Sequence, residues 1–266
     1  MGNDHPDAKL YPHATGAAAK MVKAHQKEES LKLYSGWFCP FVQRVLLVLL
    51  EKKIPFQYIE VNPYDKPASL LALNPRGLVP TLSYANKPLY ESTVICEFLE
   101  DAYPSSTPHL LPSDPYLKAK SRIWIDFVTS RIIPSFHRFL QFQGGESSGL
   151  SKLREEFLGK VKEFTLEMDK NGPYFLGEEV SLVDLVLAPW AVRFWVFDHY
   201  KGGLKLPVGE EWVGRWKKWV SAVEKRESVV STTSEREYYL PIYQRYADDV
   251  AQSELAKATR EGKGVP

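Results

Sequence analysis

The chain of 266 residues is 44 % hydrophobic and 25 % charged, with a formal net charge of +1. That balance belongs to a folded globular chain with room for one large or two small domains, and it excludes both a disordered polymer and an electrostatic footprint for nucleic acid. Two cysteines outside any disulfide-framework pattern argue for a reducing compartment, so the cytosol is the expected location.

Residues 1–30 contain no apolar core of signal-peptide type and read as a loose extension. Leu31-Lys32-Leu33-Tyr34-Ser35 alternates as a half-buried strand does, Gly36 permits a turn, and Pro40 suits the first position of a helix running through Val45–Leu50. This longest apolar run is far below the ~20 residues of a membrane-spanning helix. Cys39 therefore falls at or just before a helix N-terminus, where unpaired N–H groups and the positive dipole end favour the nucleophilic thiolate. The dipole contributes roughly 1 to 2 kcal/mol, and about 1.4 kcal/mol is one pKa unit, so a larger shift needs direct hydrogen bonds to sulfur. A free cysteine is more commonly a small buried apolar residue, but a loop-to-helix corner is an unusual place for one. Val42 stands three positions on, so there is no Cys-x-x-Cys and no resolving thiol beside Cys39. A single-thiol enzyme takes its second thiol from solution, and glutathione is the abundant candidate.

Phe56–Val61 alternates as a second strand, and so short a strand–helix–strand crossover implies a parallel pair. Lys66 and Pro67 open a helical turn around Leu70, Leu71 and Leu73, which Asn74-Pro75-Arg76-Gly77 ends. Val79–Ser83 and Pro88–Tyr90 read as short strands around Asn86. Ser92 begins a helix with Val94, Ile95, Phe98 and Leu99 on its apolar side. Ser92 suits an N-cap, yet Ile95 three residues later closes no capping box, so the helix N–H groups stay available to a carboxylate. Cys96, between Ile95 and Phe98, reads as a buried inert thiol. This order is the thioredoxin-like arrangement, closing near Tyr103.

Pro104, Pro108, Pro112 and Pro115 mark a linker. From Tyr116 to Tyr246 the periodicity is helical, without a convincing strand. Ser181-Leu182-Val183-Asp184 reads as a capping-box variant flanked by a Val180/Leu185 staple, structural in purpose. Trp190, Phe194 and Phe197 form one stripe of a single helix, whereas Trp195 and His199 point to another face and suit a second-substrate cleft better. Tyr239, Tyr243 and Tyr246 form a further stripe. The divisions expected are an extension over 1–30, a thioredoxin-like domain over 31–103, a linker over 104–115, a helical domain over 116–250 and a frayed polar tail over 251–266.

Phe38-Cys39-Pro40-Phe41 resembles the active-site corner of the omega class of glutathione transferases, and the likeness continues through most of the chain. Asn74-Pro75-Arg76-Gly77-Leu78-Val79-Pro80, Lys66-Pro67 and Glu91-Ser92 carry it further. The resemblance implies an α/β plus all-α fold, a thioredoxin-like domain followed by a helical bundle, with Cys39 as the catalytic residue. It implies a cis Val79-Pro80 bond that leaves the Val79 backbone to pair with the cysteinyl part of glutathione. Glu91 and Ser92 would then receive the γ-glutamyl end, Lys66 the glycine carboxylate, and Phe41 would line the same site. A small aromatic or hydrophobic co-substrate is expected against Trp124, Phe127, Trp195 and His199. Glutathione is the expected co-substrate without a metal, the chain is expected as a homodimer, and neither nucleic acid nor membrane is an expected partner. The implied activity is thiol transfer, with glutathione adducts and oxidised ascorbate among the substrates and weak conjugation, because a thiol replaces the usual Tyr or Ser. Alternatives are a glutathionyl-hydroquinone reductase, although the continuation Phe41-Val42-Gln43-Arg44 fits the omega class better, an intracellular chloride-channel-like protein and a ligand carrier. The second of these would insert its first helix into a membrane, and here that helix carries Gln43, Arg44, Glu51, Lys52 and Lys53.

Overall fold

The computed structural model describes His5 and residues 8–266. In chain order, α1 (Gly16–Ala24) precedes β1 (Leu31–Ser35), α2 (Pro40–Glu51), β2 (Gln57–Glu60), α3 (Ala68–Leu73), β3 (Thr81–Tyr84), β4 (Lys87–Tyr90) and α4 (Ser92–Ala102). Helices follow: α5 (Pro115–Phe127), α6 (Ile133–Gln141), α7 (Leu150–Leu166), α8 (Leu182–Ala191), α9 (Trp195–Tyr200), α10 (Glu211–Glu224), α11 (Glu227–Ser231), α12 (Arg236–Ala247) and α13 (Glu254–Arg260). Two compact units result, one holding the chain up to Leu111 together with Lys225–Tyr239, the other Pro112–Glu224 with Leu240–Pro266.

The first unit is built on a four-stranded sheet in the order β2-β1-β3-β4. β1 runs parallel to β2, with Leu33 opposite Tyr58, and antiparallel to β3, with Leu33 opposite Leu82. Leu31, Leu33 and Ser35 turn inward while Lys32 and Tyr34 are half-exposed, as the period of two requires. α2 is buried nearly all round, polar residues included. Its Gln43 donates to Thr232 Oγ1 (3.0 Å) and Thr233 Oγ1 (3.2 Å), Glu51 accepts from Arg226 Nε (2.7 Å) and from Ser228 Oγ, and Lys52 pairs with Glu100 at 2.6 Å. These bonds satisfy groups that would be costly to bury alone.

The described part of the N-terminal extension is ordered, contrary to its reading as loose. α1 buries Ala18 and Met21, Tyr11 O accepts from Trp37 Nε1 (2.8 Å), and the Thr15 amide donates to Ser234 Oγ (3.1 Å). Small alanines gave this helix little hydrophobic signature. The polar tail is likewise no frayed end over 254–260: Ser253 caps α13 by accepting from the Ala256 amide (3.0 Å), and Leu255, Ala256 and Ala258 are buried.

The second unit has no strand among its described residues. Asp114 caps α5 by accepting from the Leu117 amide (2.8 Å), and a π-helical stretch over Val128–Ile132 joins α5 to α6 just before Pro134, which lacks a donor. Phe197 lies 4.7, 4.4 and 5.1 Å, ring centroid to centroid, from Phe136, Phe139 and Phe157. The capping box forms as read: Asp184 accepts from the Ser181 amide (2.8 Å) and hydroxyl (2.6 Å), and also from the Phe175 amide (2.8 Å) and Trp219 Nε1 (2.7 Å).

His137 sits in this core at 3 % exposure between the rings of Phe136 and Tyr246, with no hydrogen bond to either ring nitrogen among the described residues. Burial pushes its pKa down to about 3. The folded state thus holds the neutral ring, and this contribution to stability is full above the unfolded pKa near 6.5 and is lost as pH falls from there toward 3. The loss should approach about 1.4 kcal/mol per pH unit across that window. Denaturant unfolding at pH 7 and pH 5 is expected to show a smaller acid loss for His137→Phe than for the unmutated chain; equal losses would contradict it.

Candidate active site

The β1–α2 corner presents the thiol. The Cys39 amide donates to Gly36 O (3.0 Å), closing the turn, and Cys39 then serves as N-cap of α2 in extended conformation (φ −75°, ψ 119°) with Pro40 first in the helix. Its Sγ is half-buried and lies 3.9 Å from Val79 O. The Val79-Pro80 bond is cis. Phe38, beside the thiol, stacks on Tyr64 with centroids 6.0 Å apart, a neighbour for which a lone tyrosine in a loop gave no sequence signal.

The loop before β3 is held by buried Asn74, which donates to Leu78 O (3.3 Å) and Thr81 Oγ1 (3.1 Å) and accepts from the Arg76 amide (3.1 Å). Gly77 has φ +61°, and a Cβ there would come within 2.5 Å of Lys66 Cδ. Glycine therefore lets the exposed Lys66 lie across the loop, its Nζ donating to Arg76 O (2.9 Å).

Glu91, not Ser92, is the N-cap of α4, in a left-handed conformation (φ 70°, ψ 110°) that costs a non-glycine residue energy. Its half-exposed carboxylate pairs with Arg76 Nη1 at 3.1 Å, a surface pair worth about 0 to 1 kcal/mol and so readily exchanged for a ligand amine. Ser92 opens the helix, nearly buried, and its Oγ accepts from Arg44 Nη1 (3.2 Å), while Arg44 Cζ stands 5.3 Å from the Phe41 ring centroid. Arg44 and Arg76 are the charged residues that sequence reading missed. The first-unit candidates thus fall into three touching sets: Cys39 with Val79, Phe41 with Ser92 through Arg44, and Lys66 with Glu91 through Arg76. Burial pushes Cys96 up to about 12, so it stays a thiol.

In the second unit Trp124 and Phe127 are half-buried against one another (4.9 Å), and Trp124 also meets Phe175 (5.8 Å). Trp195 is half-buried, edge-on to Tyr243 (6.0 Å), and His199 is exposed beside Tyr200. Trp190, Phe194 and Phe197 are buried. The stripe lies on two helices and not on one, because the chain turns between α8 and α9; the turn keeps near-helical dihedrals (Phe194 φ −62°, ψ −17°), so the spacing still holds.

The Glutathione S-transferase N-terminal domain model matches residues 38–102, and the corresponding C-terminal domain model matches residues 147–222. Glutathione S-transferase omega-1 of Sus scrofa is 40 % identical over 169 residues, which cover 62 % of this chain and 68 % of that protein. The chain belongs to the omega class of glutathione transferases. Pyrimidodiazepine synthase of Drosophila melanogaster is 35 % identical, covering 68 % of this transferase and 69 % of that protein. Among solved structures, glutathione transferase Omega 3C from Trametes versicolor superposes with a TM-score of 0.81 at 44 % identity, covering 91 % of this chain and 100 % of that one. Rice GST1, solved in complex with glutathione, gives 0.70 at 28 % identity, covering 82 % and 96 %. The expected pairing of a thioredoxin-like domain with a helical one is this family's fold. Among the described residues of the transferase, no helix is long and apolar enough to cross a membrane.

Proposed function

We propose that this omega-class transferase is a glutathione-dependent thiol transferase with Cys39 as its nucleophile. The Cys39 thiolate attacks the glutathionyl sulfur of a mixed disulfide; the S–S bond breaks, and the displaced thiolate takes a proton from water. A second glutathione, as thiolate, then attacks the sulfur bound to Cys39, forming glutathione disulfide and restoring the Cys39 thiolate. Across the two steps one glutathione thiol is oxidised, one substrate thiol is released, and the glutathionyl group of the substrate leaves in glutathione disulfide. The observation that carries this reading is a half-buried thiol at a helix N-terminus, beside Val79 O, in a chain whose other thiol is wholly buried.

Glutathione pairs its cysteinyl backbone with Val79, before Pro80, and passes Phe41. Its γ-glutamyl carboxylate meets the Ser92 hydroxyl and the first amides of α4, its amine faces Glu91, and its glycine carboxylate is gripped by Lys66. Trp195 with His199, and Trp124 with Phe127, supply contacts for an aromatic or hydrophobic co-substrate. Glutathione adducts and oxidised ascorbate are the further substrates of this reading. In this reading the protein acts in the cytoplasm as a homodimer.

Incubation with glutathione disulfide tests the nucleophile. Intact mass and peptide mapping are expected to show one glutathionyl group on Cys39 and none on Cys96. An adduct on Cys96 with Cys39 free would overturn the assignment.

A further inference from the structure

Arg44 is a buried charge that the thiol chemistry above does not use. Its side chain, 1 % exposed, lies in α2 close to the N-terminus that Cys39 caps. Taking a guanidinium out of water is expensive unless an anion and hydrogen bonds compensate. Burial lowers its pKa to about 9, and the neighbouring groups whose negative forms oppose that fall are Cys96 and then Cys39. Cys96 does not supply the charge, since its own burial keeps it protonated. Cys39 is half-buried and caps a helix N-terminus, so of the two thiols it is the one placed to be an anion. Glu97 on α4 acts on Cys96, and Glu60 on β2 and Tyr239 on α12 act with Cys39 on Tyr58, which burial pushes upward so that it stays neutral.

A second consequence concerns Ser92. A serine hydroxyl has one proton to donate and two lone pairs that accept. Nη1 of Arg44 donates to Ser92 Oγ (3.2 Å), so one lone pair is taken and the proton is left to point elsewhere.

We propose that Arg44 is a positioning residue serving both ends of the glutathione site: its charge holds Cys39 as thiolate, and its hydrogen bond turns the Ser92 hydroxyl proton toward the γ-glutamyl carboxylate. This role rests on Cys39 being the residue that accepts glutathione.

The test is the pH dependence of Cys39 alkylation by iodoacetamide, read on the Cys39 peptide, in the full chain and in Arg44→Met and Arg44→Lys, together with KM for glutathione. The alkylation midpoint is expected to rise by about one pH unit or more in Arg44→Met, and by less in Arg44→Lys, which keeps the charge. KM for glutathione should rise several-fold in both, because neither side chain reproduces the planar fork that orients Ser92. A Met variant that melts cooperatively with an unshifted midpoint overturns the role. Should that variant not fold, the unmutated chain decides: the side-chain 15N resonance of Arg44 should titrate with the Cys39 midpoint and lie flat in Cys39→Ser, and a resonance blind to Cys39 overturns it. Alkylation needs no turnover. An unshifted midpoint therefore refutes Arg44 alone, whereas a glutathionyl adduct missing from Cys39 refutes the nucleophile.

Discussion

Cys39→Ser is expected to lose at least about a thousandfold in glutathione-dependent disulfide reduction, because a hydroxyl does not form the mixed disulfide on which both half-reactions depend. No rescue is available from Cys96. It is fully buried in α4, and burial pushes it up to about 12, so it offers neither access nor thiolate at neutral pH. The glutathione contacts proposed at Lys66, Val79, Glu91 and Ser92 use other atoms and should survive, so titration calorimetry is expected to show glutathione binding within a few-fold of the unmutated chain. Activity toward an electrophile can appear in the variant, since serine at this corner can donate to the thiolate of glutathione itself. Unchanged thiol-transferase turnover in a correctly folded Cys39→Ser protein would sink the mechanism.

Asp184→Ala should be the most destabilising of the substitutions considered. Its carboxylate is fully buried and accepts from the Ser181 amide and hydroxyl, the Phe175 amide and the Trp219 indole. Removing it leaves buried donors stranded on α8's entry, on the segment before it and on α10, at about 1–3 kcal/mol for each unsatisfied group, with incomplete additivity. A total of about 3–5 kcal/mol is the reasonable expectation for a buried charged network of this kind. Whole-domain stabilities are about 5–15 kcal/mol, so the second unit would lose a large part of its margin. Burial pushes the Asp184 carboxyl up while these hydrogen bonds hold it down, so Asp184→Asn, which keeps the shape and one acceptor, should lose less. Denaturant titration of the three proteins checks the order. A loss below about 1 kcal/mol for the alanine variant would mean that water satisfies these donors instead.

The corner that holds Cys39 was legible because its signals are local. Alternation in Leu31–Ser35, Gly36 at the turn and Pro40 at the helix start each act over a few residues, and together they place Cys39 where the structure has it. The box at Ser181 was legible for the same reason. What escaped reading depends on partners distant in sequence. Gln43, Arg44, Glu51 and Lys52 looked like a charged helix face, yet all are buried or nearly so, each joined to another element, and the Gln43–Thr232 bond spans 189 positions. No local pattern announces such a pairing. Arg76 escaped because its loop matched a motif as a whole, and the motif says nothing of the Glu91 pair. α1 and α13 escaped because alanines bury little area and so leave weak periodicity.

The first unit is discontinuous in the chain, since it needs Lys225–Tyr239, and this bears on how the protein is made. During synthesis α2 leaves the ribosome early, but the partners of its Gln43 and Glu51, namely Thr232, Thr233, Arg226 and Ser228, emerge some 180 residues later. Until then the hydrogen bonds of Gln43 to Thr232 and Thr233 and of Glu51 to Arg226 and Ser228 are unmade, and the corner at Cys39 waits on the last fifth of the polypeptide, whereas most of the helical unit is already complete. A nascent chain halted anywhere before residue 225 would carry the cysteine without the segment that closes its helix against the sheet unit.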